Sequence, residues 1–210
     1  MTKRNFSTAV RGLLFAVLSG CALTSKGTAV EARFFSPDFA APRAPAPSPR
    51  PAPLELRLGM IDAASHLEER MAYRVNDSEL GYRDDRRWSE RPEEYLRRAL
   101  EGALFERAGL RRVLAGAATT LDVELTAFEE VRGPTPRVRL ALTFRLHDDR
   151  QVSLERSLVV ERPLVADGDK DHAQRVASAL GEALAQATNE LGTEVVAHLG
   201  SRTERQAATP

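Results

Sequence analysis

From Leu54 the chain alternates apolar and polar positions. Leu54, Leu56, Leu58 and Met60 are separated by Glu55, Arg57 and Gly59, the period of two that places apolar side chains on one face of a strand. Met71, Tyr73 and Val75 repeat it against Arg70, Ala72 and Arg74. Asn76-Asp77-Ser78 supplies a turn, and Leu80 and Tyr82 continue beyond it, which predicts a β-hairpin with a three-residue connection. Three more strands follow. Leu121, Val123 and Leu125 lead the first; Val138, Leu140, Leu142, Phe144 and Leu146 the second; Val152, Leu154, Leu158 and Val160 the third, with Arg156 the one exception. Short links between neighbours favour antiparallel pairing. One apolar and one charged face predict a sheet covered on a single side. A short strand candidate, residues 30–36, precedes them all.

Two helices interrupt and close this series. Pro92 suits a first helical turn, and Glu93 and Glu94 suit the positive end of the helix dipole. Tyr95, Leu96, Ala99, Leu100, Ala103 and Leu104 form one apolar face, and Gly109 is positioned as a C-cap. The second helix is expected over 170–199, with a stripe from Ala173 through Leu199, an end at Gly200 and a disordered tail over 201–210. Strands, helix, strands and helix make an α+β fold: a two-layer sandwich of a largely antiparallel sheet with two helices on one face.

The start of the chain has its own organisation. Lys3, Arg4 and Arg11 precede the apolar run Leu13 to Val17, the order of a secretory signal. The run is too short for a transmembrane helix, which needs about 20 residues. Leu18-Ser19-Gly20-Cys21 then resembles a bacterial lipobox. That resemblance implies a signal peptide over 1–20, acylation of Cys21 with fatty-acyl chains such as palmitate, and a tether over 21–29. Cys21 is the single cysteine, so it has no internal disulfide partner. Ala22, where Asp would favour inner-membrane retention in some lineages, leans towards the outer membrane. Ala40 to Pro53 is rich in Ala and Pro and reaches roughly 40 Å if extended. Segment 37–53 is either a linker or a loop after a first strand, and 54–200 carries the rest of the domain. The loop is favoured, because Phe34 and Phe35 are poorly suited to water.

Charge excludes one class of function. Loss of residues 1–20 removes three of the 30 cations and none of the 30 acids, leaving about −3. Bulk charge therefore gives no sign of nucleic-acid binding. His66, His147, His172 and His198 lie in different segments without metal spacing. Asp167-Gly168-Asp169-Lys170-Asp171 lacks the spacing of a calcium loop and reads as a helix N-cap. Glu129-Glu130 reads as a solvated turn. No catalytic group, metal or cofactor is expected beyond the covalent lipid on Cys21. Tyr73, Arg74, Tyr82, Arg87 and Trp88 have the make-up of a partner surface, and Trp88 and Tyr73 equally suit closure of the core.

Glu69-Arg70-Met71-Ala72-Tyr73-Arg74-Val75, Glu79-Leu80-Gly81-Tyr82, Arg87-Trp88-Ser89-Glu90-Arg91-Pro92, Leu100 and Leu104 together resemble the ABC-type transport auxiliary lipoproteins, including paraquat-inducible protein C-like members. The resemblance implies a non-enzymatic, periplasm-facing lipoprotein of the cell envelope, working beside an Mce-domain protein, a permease and an ATPase in lipid transport. It leaves open a homo-oligomer, the membrane to which Cys21 is sorted, the lipid and its direction. The Ala/Pro segment departs from the family pattern. A structural envelope lipoprotein without a transporter is the alternative, and an exported enzyme a remoter one.

Overall fold

In the computed structural model, which describes residues 31–38, 54–165 and 171–207, the strands are β1 (Arg33–Phe35), β2 (Glu55–Ala63), β3 (Arg70–Asn76), β4 (Glu79–Trp88), β5 (Arg111–Arg112), β6 (Thr120–Val131), β7 (Arg137–His147) and β8 (Val152–Pro163). The helices are α1 (Pro92–Glu101) and α2 (His172–Ala207). The described residues from Ala32 onward belong to one unit. Cys21, the signal and tether, and the Ala/Pro segment from Ala40 to Pro53 lie outside the described residues.

β6 organises the sheet. One of its edges pairs antiparallel with β7, from Thr120 opposite His147 to Val131 opposite Arg137, and β7 pairs antiparallel with β8. The other edge holds two strands end to end. β2 runs parallel to the first half of β6 and β3 runs parallel to its end. β4 adds antiparallel to β3, β1 adds parallel to β4, and β5 adds parallel to β2. The architecture is α+β, and its longest pairings are antiparallel. β2 and β3 both run parallel to β6 because residues 64–69 carry the chain forward along it instead of turning it back. The Ala64 N–H donates to the Leu125 carbonyl at 2.9 Å within this link.

The core lies between the sheet and the helices. Leu121, Val123, Leu125, Val138, Leu140, Leu142, Phe144 and Leu146 are buried, as the alternation requires. α2 packs on β6, β7 and β8, and α1 on β2, β6 and α2. Burying each large aliphatic side chain contributes about 1.5–3 kcal/mol. α1 begins with Pro92, buries Tyr95, Leu96, Ala99 and Leu100, and widens into a π-helical turn, Gly102–Arg107, that buries Ala103 and Leu104. Gly109, at φ 67°, then reverses the chain.

Several details depart from the alternation. The register shifts between Leu58 and Ile61, so Ile61 enters the core and Met60 is left exposed. The Met60 N–H donates to Asp122 Oδ1 at 2.7 Å and holds this bulge. Two residues, not three, connect β3 and β4, and the Ser78 N–H closes the turn on Asn76 Oδ1 at 3.0 Å. Phe35 is buried but Phe34 is 62% exposed, so only one of the pair is sheltered.

The end of α2 corrects the sequence reading. Asp171 and Gln174 cap the start reciprocally, each backbone N–H donating to the other's side chain at 3.0 and 2.9 Å. Gly200 does not end the helix, and the expected tail is helical to Ala207. Gly200 is not in the left-handed conformation that a terminating glycine takes. Ser201 and Thr203 donate back to the His198 and Leu199 carbonyls, and Arg202 pairs with Asp148 at 2.9 Å. Among the described residues, no helix is long and apolar enough to cross a membrane.

Candidate functional site

The residues singled out in the sequence divide between three environments around β3 and β4. Trp88 is core. It is 2% exposed, with its ring 5.1 Å from Phe128 and 6.2 Å from Tyr95, the latter edge-on at 75°. Its backbone N–H donates to the Glu69 carbonyl at 2.6 Å, and the Ser89 N–H to the Phe35 carbonyl at 2.9 Å. The Tyr95 hydroxyl accepts the Glu90 N–H at 2.9 Å. Trp88 thus locks the junction of β1, the 64–69 link, β4 and α1, and bears on any surface only through the residues that it supports.

Tyr73, Glu130 and their neighbours occupy the helix-facing side. Glu130, opposite Val138 in register, is 3% exposed. It accepts Arg83 Nη2 at 2.7 Å and His172 Nε2 at 2.9 Å, with Arg132 Nε at 3.7 Å. Burial pushes the Glu130 carboxyl up, but the hydrogen bond and charge of Arg83, joined by His172, outweigh it and hold the group below its ordinary value. Tyr73 lies beneath Arg132, whose guanidinium is 3.2 Å from the ring centroid.

The opposite side of the sheet carries Arg74, Tyr82 and Arg87. Arg74 grips Glu129 through two hydrogen bonds, at 2.6 and 3.1 Å. The Glu129 hydrogen bond raises the Arg74 guanidinium above its usual range, against the effect of burial. Glu129 is 1% exposed. The solvated-turn reading of Glu129-Glu130 is therefore corrected. Adjacent strand residues point to opposite faces, and each acid meets an arginine of the hairpin. The signal was present in the sequence as Arg74 and Arg83, whose partners only the parallel β3–β6 pairing supplies.

Tyr82 donates its hydroxyl to the His66 carbonyl at 2.9 Å, and the Arg70 guanidinium stacks 4.3 Å from its ring centroid. Arg70 pairs with Arg87 across β3 and β4, and Phe34 pairs with Arg87 across β1 and β4. Register therefore sets Phe34, Arg87 and Arg70 in a row on one face. Beside them a cavity of about 330 Å³ is lined by Ser65, Glu68, Glu69, Arg70, Arg87 and Arg91. Arg70 and Arg87 line it, and Tyr82 adjoins it through the Arg70 stack; Tyr73 and Trp88 lie on the other side of the sheet.

The histidines do not converge. His147 meets Asp122 at 3.0 Å, His172 meets Glu130, and His198 meets Ser153 at 3.2 Å. Among the described residues, no group of three or more His, Cys, Asp or Glu side chains is placed to hold a metal ion.

Known proteins place this geometry. A Xanthomonas campestris protein of the DUF330 family superposes with a TM-score of 0.66 at 22% identity, over 82% of this chain and 99% of that one. An uncharacterized protein superposes at 0.59 with 16% identity, over 79% and 99% respectively. Both likenesses concern the fold. No match to a curated protein was found. The model of the ABC-type transport auxiliary lipoprotein component family matches residues 38–192, which span β2 to most of α2 and include the whole hairpin. The chain belongs to the ABC-type transport auxiliary lipoprotein component family.

Proposed function

We propose that this protein is a non-catalytic auxiliary subunit of an Mce-linked, ABC-type lipid transport system, held in the cell envelope by acyl chains on Cys21. The single observation that carries this reading is the family match over residues 38–192. In this account the anchor fixes the protein to a leaflet facing the periplasm, most simply that of the outer membrane. Stable anchoring needs more than one buried chain or signal. The folded domain then docks to the periplasmic component of a complex containing an Mce-domain protein, a permease and an ATPase.

The docking face assigned to the domain is the side of the hairpin carrying Arg74, Tyr82 and Arg87. Tyr73, Glu130 and Trp88 brace it from behind. Aromatic and arginine side chains on a rigid support suit a partner surface, and the ion pairs of Glu129 and Glu130 supply that rigidity. No bond is made or broken by the domain in this role.

Photocrosslinking tests the assignment. A crosslinking residue in place of Arg87 or Tyr82 is expected to capture a transporter component in membranes. One in place of the exposed Arg145, opposite Asp122 at the end of β7 far from the hairpin, is not. Equal capture from both positions contradicts the assigned face. Mass spectrometry of the mature N-terminal peptide is expected to find acyl chains on Cys21; an unmodified cysteine overturns the anchor.

A further inference from the structure

The loop between β5 and β6 is unlike an ordinary polar turn. Val113-Leu114-Ala115-Gly116-Ala117-Ala118 carries no side chain that can ionise or form a hydrogen bond. Residues 114–117 are exposed in succession, and Leu114 is the most exposed large apolar side chain among the described residues, at 81%. An exposed apolar run of that length works against solubility unless it has a use. The loop is also held in place. The Val113 N–H donates to the Leu56 carbonyl at 3.0 Å and the Arg57 N–H to the Thr119 carbonyl at 2.9 Å. Arg57 Nη2 donates to the Gly116 carbonyl at the tip. Gly116 turns the tip at φ 92°, a conformation that glycine adopts readily. The cations that precede the loop are engaged, Arg111 by Glu55 and Arg112 by Glu101.

Register places this loop at one end of the sheet. It leads into Thr120, the first residue of β6. Met60, 67% exposed, bonds through its N–H to Asp122 close by. Val152, 54% exposed, pairs with His147, which stands opposite Thr120. The β3–β4 turn and the exposed Val75 lie at the other end, because β3 pairs with the last residues of β6. The length of β6 separates the two ends by roughly 40 Å. About twelve residues join Cys21 to Arg33, and a chain of that length reaches at most about 40 Å. An anchor on Cys21 therefore lets either end of the domain meet the leaflet, and the apolar loop decides between them.

What meets such a tip has to offer apolar volume and little else. Protein partner surfaces are enriched in aromatic and arginine side chains, which the loop lacks. A bilayer interface takes up apolar area at a depth where backbone groups still reach water. Burying a leucine there is worth roughly ten-fold or more in partition, which is weak for a free protein. On a short flexible tether the effective concentration is about millimolar, and weak insertion is then enough to set an orientation.

We propose that loop 113–118 inserts Leu114 into the interface of the leaflet that holds the anchor, and stands the domain with the β3–β4 turn pointing away from the membrane. The inference rests on the anchor of the proposed function but not on a transporter.

Fluorescence from single labelled sites tests it. In the acylated chain the Cys21 thiol is taken, so an added cysteine is the one free thiol. An environment-sensitive fluorophore on Ala117→Cys is expected to shift to the blue in phosphatidylcholine vesicles and to be quenched by spin-labelled lipid. The same fluorophore on Val75→Cys is expected to stay in water, with quenching lower by about two-fold or more. Leu114→Asp is expected to abolish the difference at an unchanged unfolding midpoint, since the side chain is exposed, and Leu114→Phe to keep it. Two labels per chain report a free Cys21, which fails the anchor of the proposed function. The loop is then tested in a histidine-tagged Cys21→Ala chain held on nickel-chelating lipid, with the same expectation. Equal quenching at 117 and 75, or full quenching at 117 in the Leu114→Asp chain, overturns the proposal.

Discussion

Tyr73 roofs Gly81. The two residues are partners across β3 and β4, and a Cβ built on Gly81 would stand 2.6 Å from the Tyr73 ring. The glycine leaves the space in which the ring lies flat, and the ring in turn supports Arg132 above it. Gly81→Val is expected to destabilise the protein by about 1–3 kcal/mol through overpacking. In the Tyr73→Ala background the same substitution is expected to cost less, because the ring is gone. Urea unfolding of the two single variants and the double variant measures the coupling, and strict additivity contradicts it.

Trp88 is expected to be the costliest hairpin residue to truncate. Its ring fills the contact between Phe128 and Tyr95, so Trp88→Ala is expected to lose about 3–5 kcal/mol. Arg87→Ala, one residue earlier at a half-buried position, is expected to lie within about 1 kcal/mol of the parent chain. Denaturant midpoints of the two variants check the contrast.

Acid stability is expected to depend on Glu130. Its folded-state carboxyl is held below its ordinary value, about 4.5, chiefly by Arg83 with help from His172. Such a group stabilises the fold above the unfolded-state value and loses that contribution as pH falls through the folded-state value. Glu130→Gln is expected to cost about 1–3 kcal/mol at neutral pH. It is also expected to flatten the loss of stability as pH falls below about 4.5. Unfolding free energies across that window give the slope. An unchanged slope contradicts the role given to Glu130.

Two glycines of α2 are expected to respond with opposite signs. A Cβ on Gly181 would collide with the backbone of Asp38, whereas Gly200 has open space around it. Gly181→Ala is expected to destabilise by about 1–3 kcal/mol through displacement of that segment. Gly200→Ala is expected to stabilise by about 0.5–1 kcal/mol, since alanine is the better helix residue. Thermal unfolding of both variants distinguishes a helix continuing past Gly200 from one ending there, where alanine gives no gain.

The two-residue period made the sheet legible wherever one face is apolar, and the buried run from Val138 to Leu146 follows it without a break. Helix faces were equally plain in Tyr95 to Leu104 and in the alanine-rich stripe of α2. Strand direction was not legible. Period two is the same for parallel and antiparallel neighbours, and residues 64–69 give no sign that they continue along β6. The misreading of Glu129-Glu130 follows from this, since their arginine partners arrive only with the parallel pairing. The bulge at Met60 was hidden for a similar reason: its cause is the Asp122 side chain on another strand. The hairpin stretch was legible as informative, but its division into a core Trp88, a braced Tyr73 and an outward Arg87 needed the register. Cys21, read from the lipobox pattern, lies outside the described residues.

Recovery of the native, acylated protein from membranes in mild detergent, followed by mass spectrometry of what accompanies it, tests the central claim most directly. The account predicts an Mce-domain protein, a permease and an ATPase, retained by the parent chain and depleted when the docking face carries Tyr82→Ala with Arg87→Ala. Recovery of only outer-membrane or cell-wall proteins contradicts it, and leaves a structural envelope lipoprotein with the fold of a transport subunit.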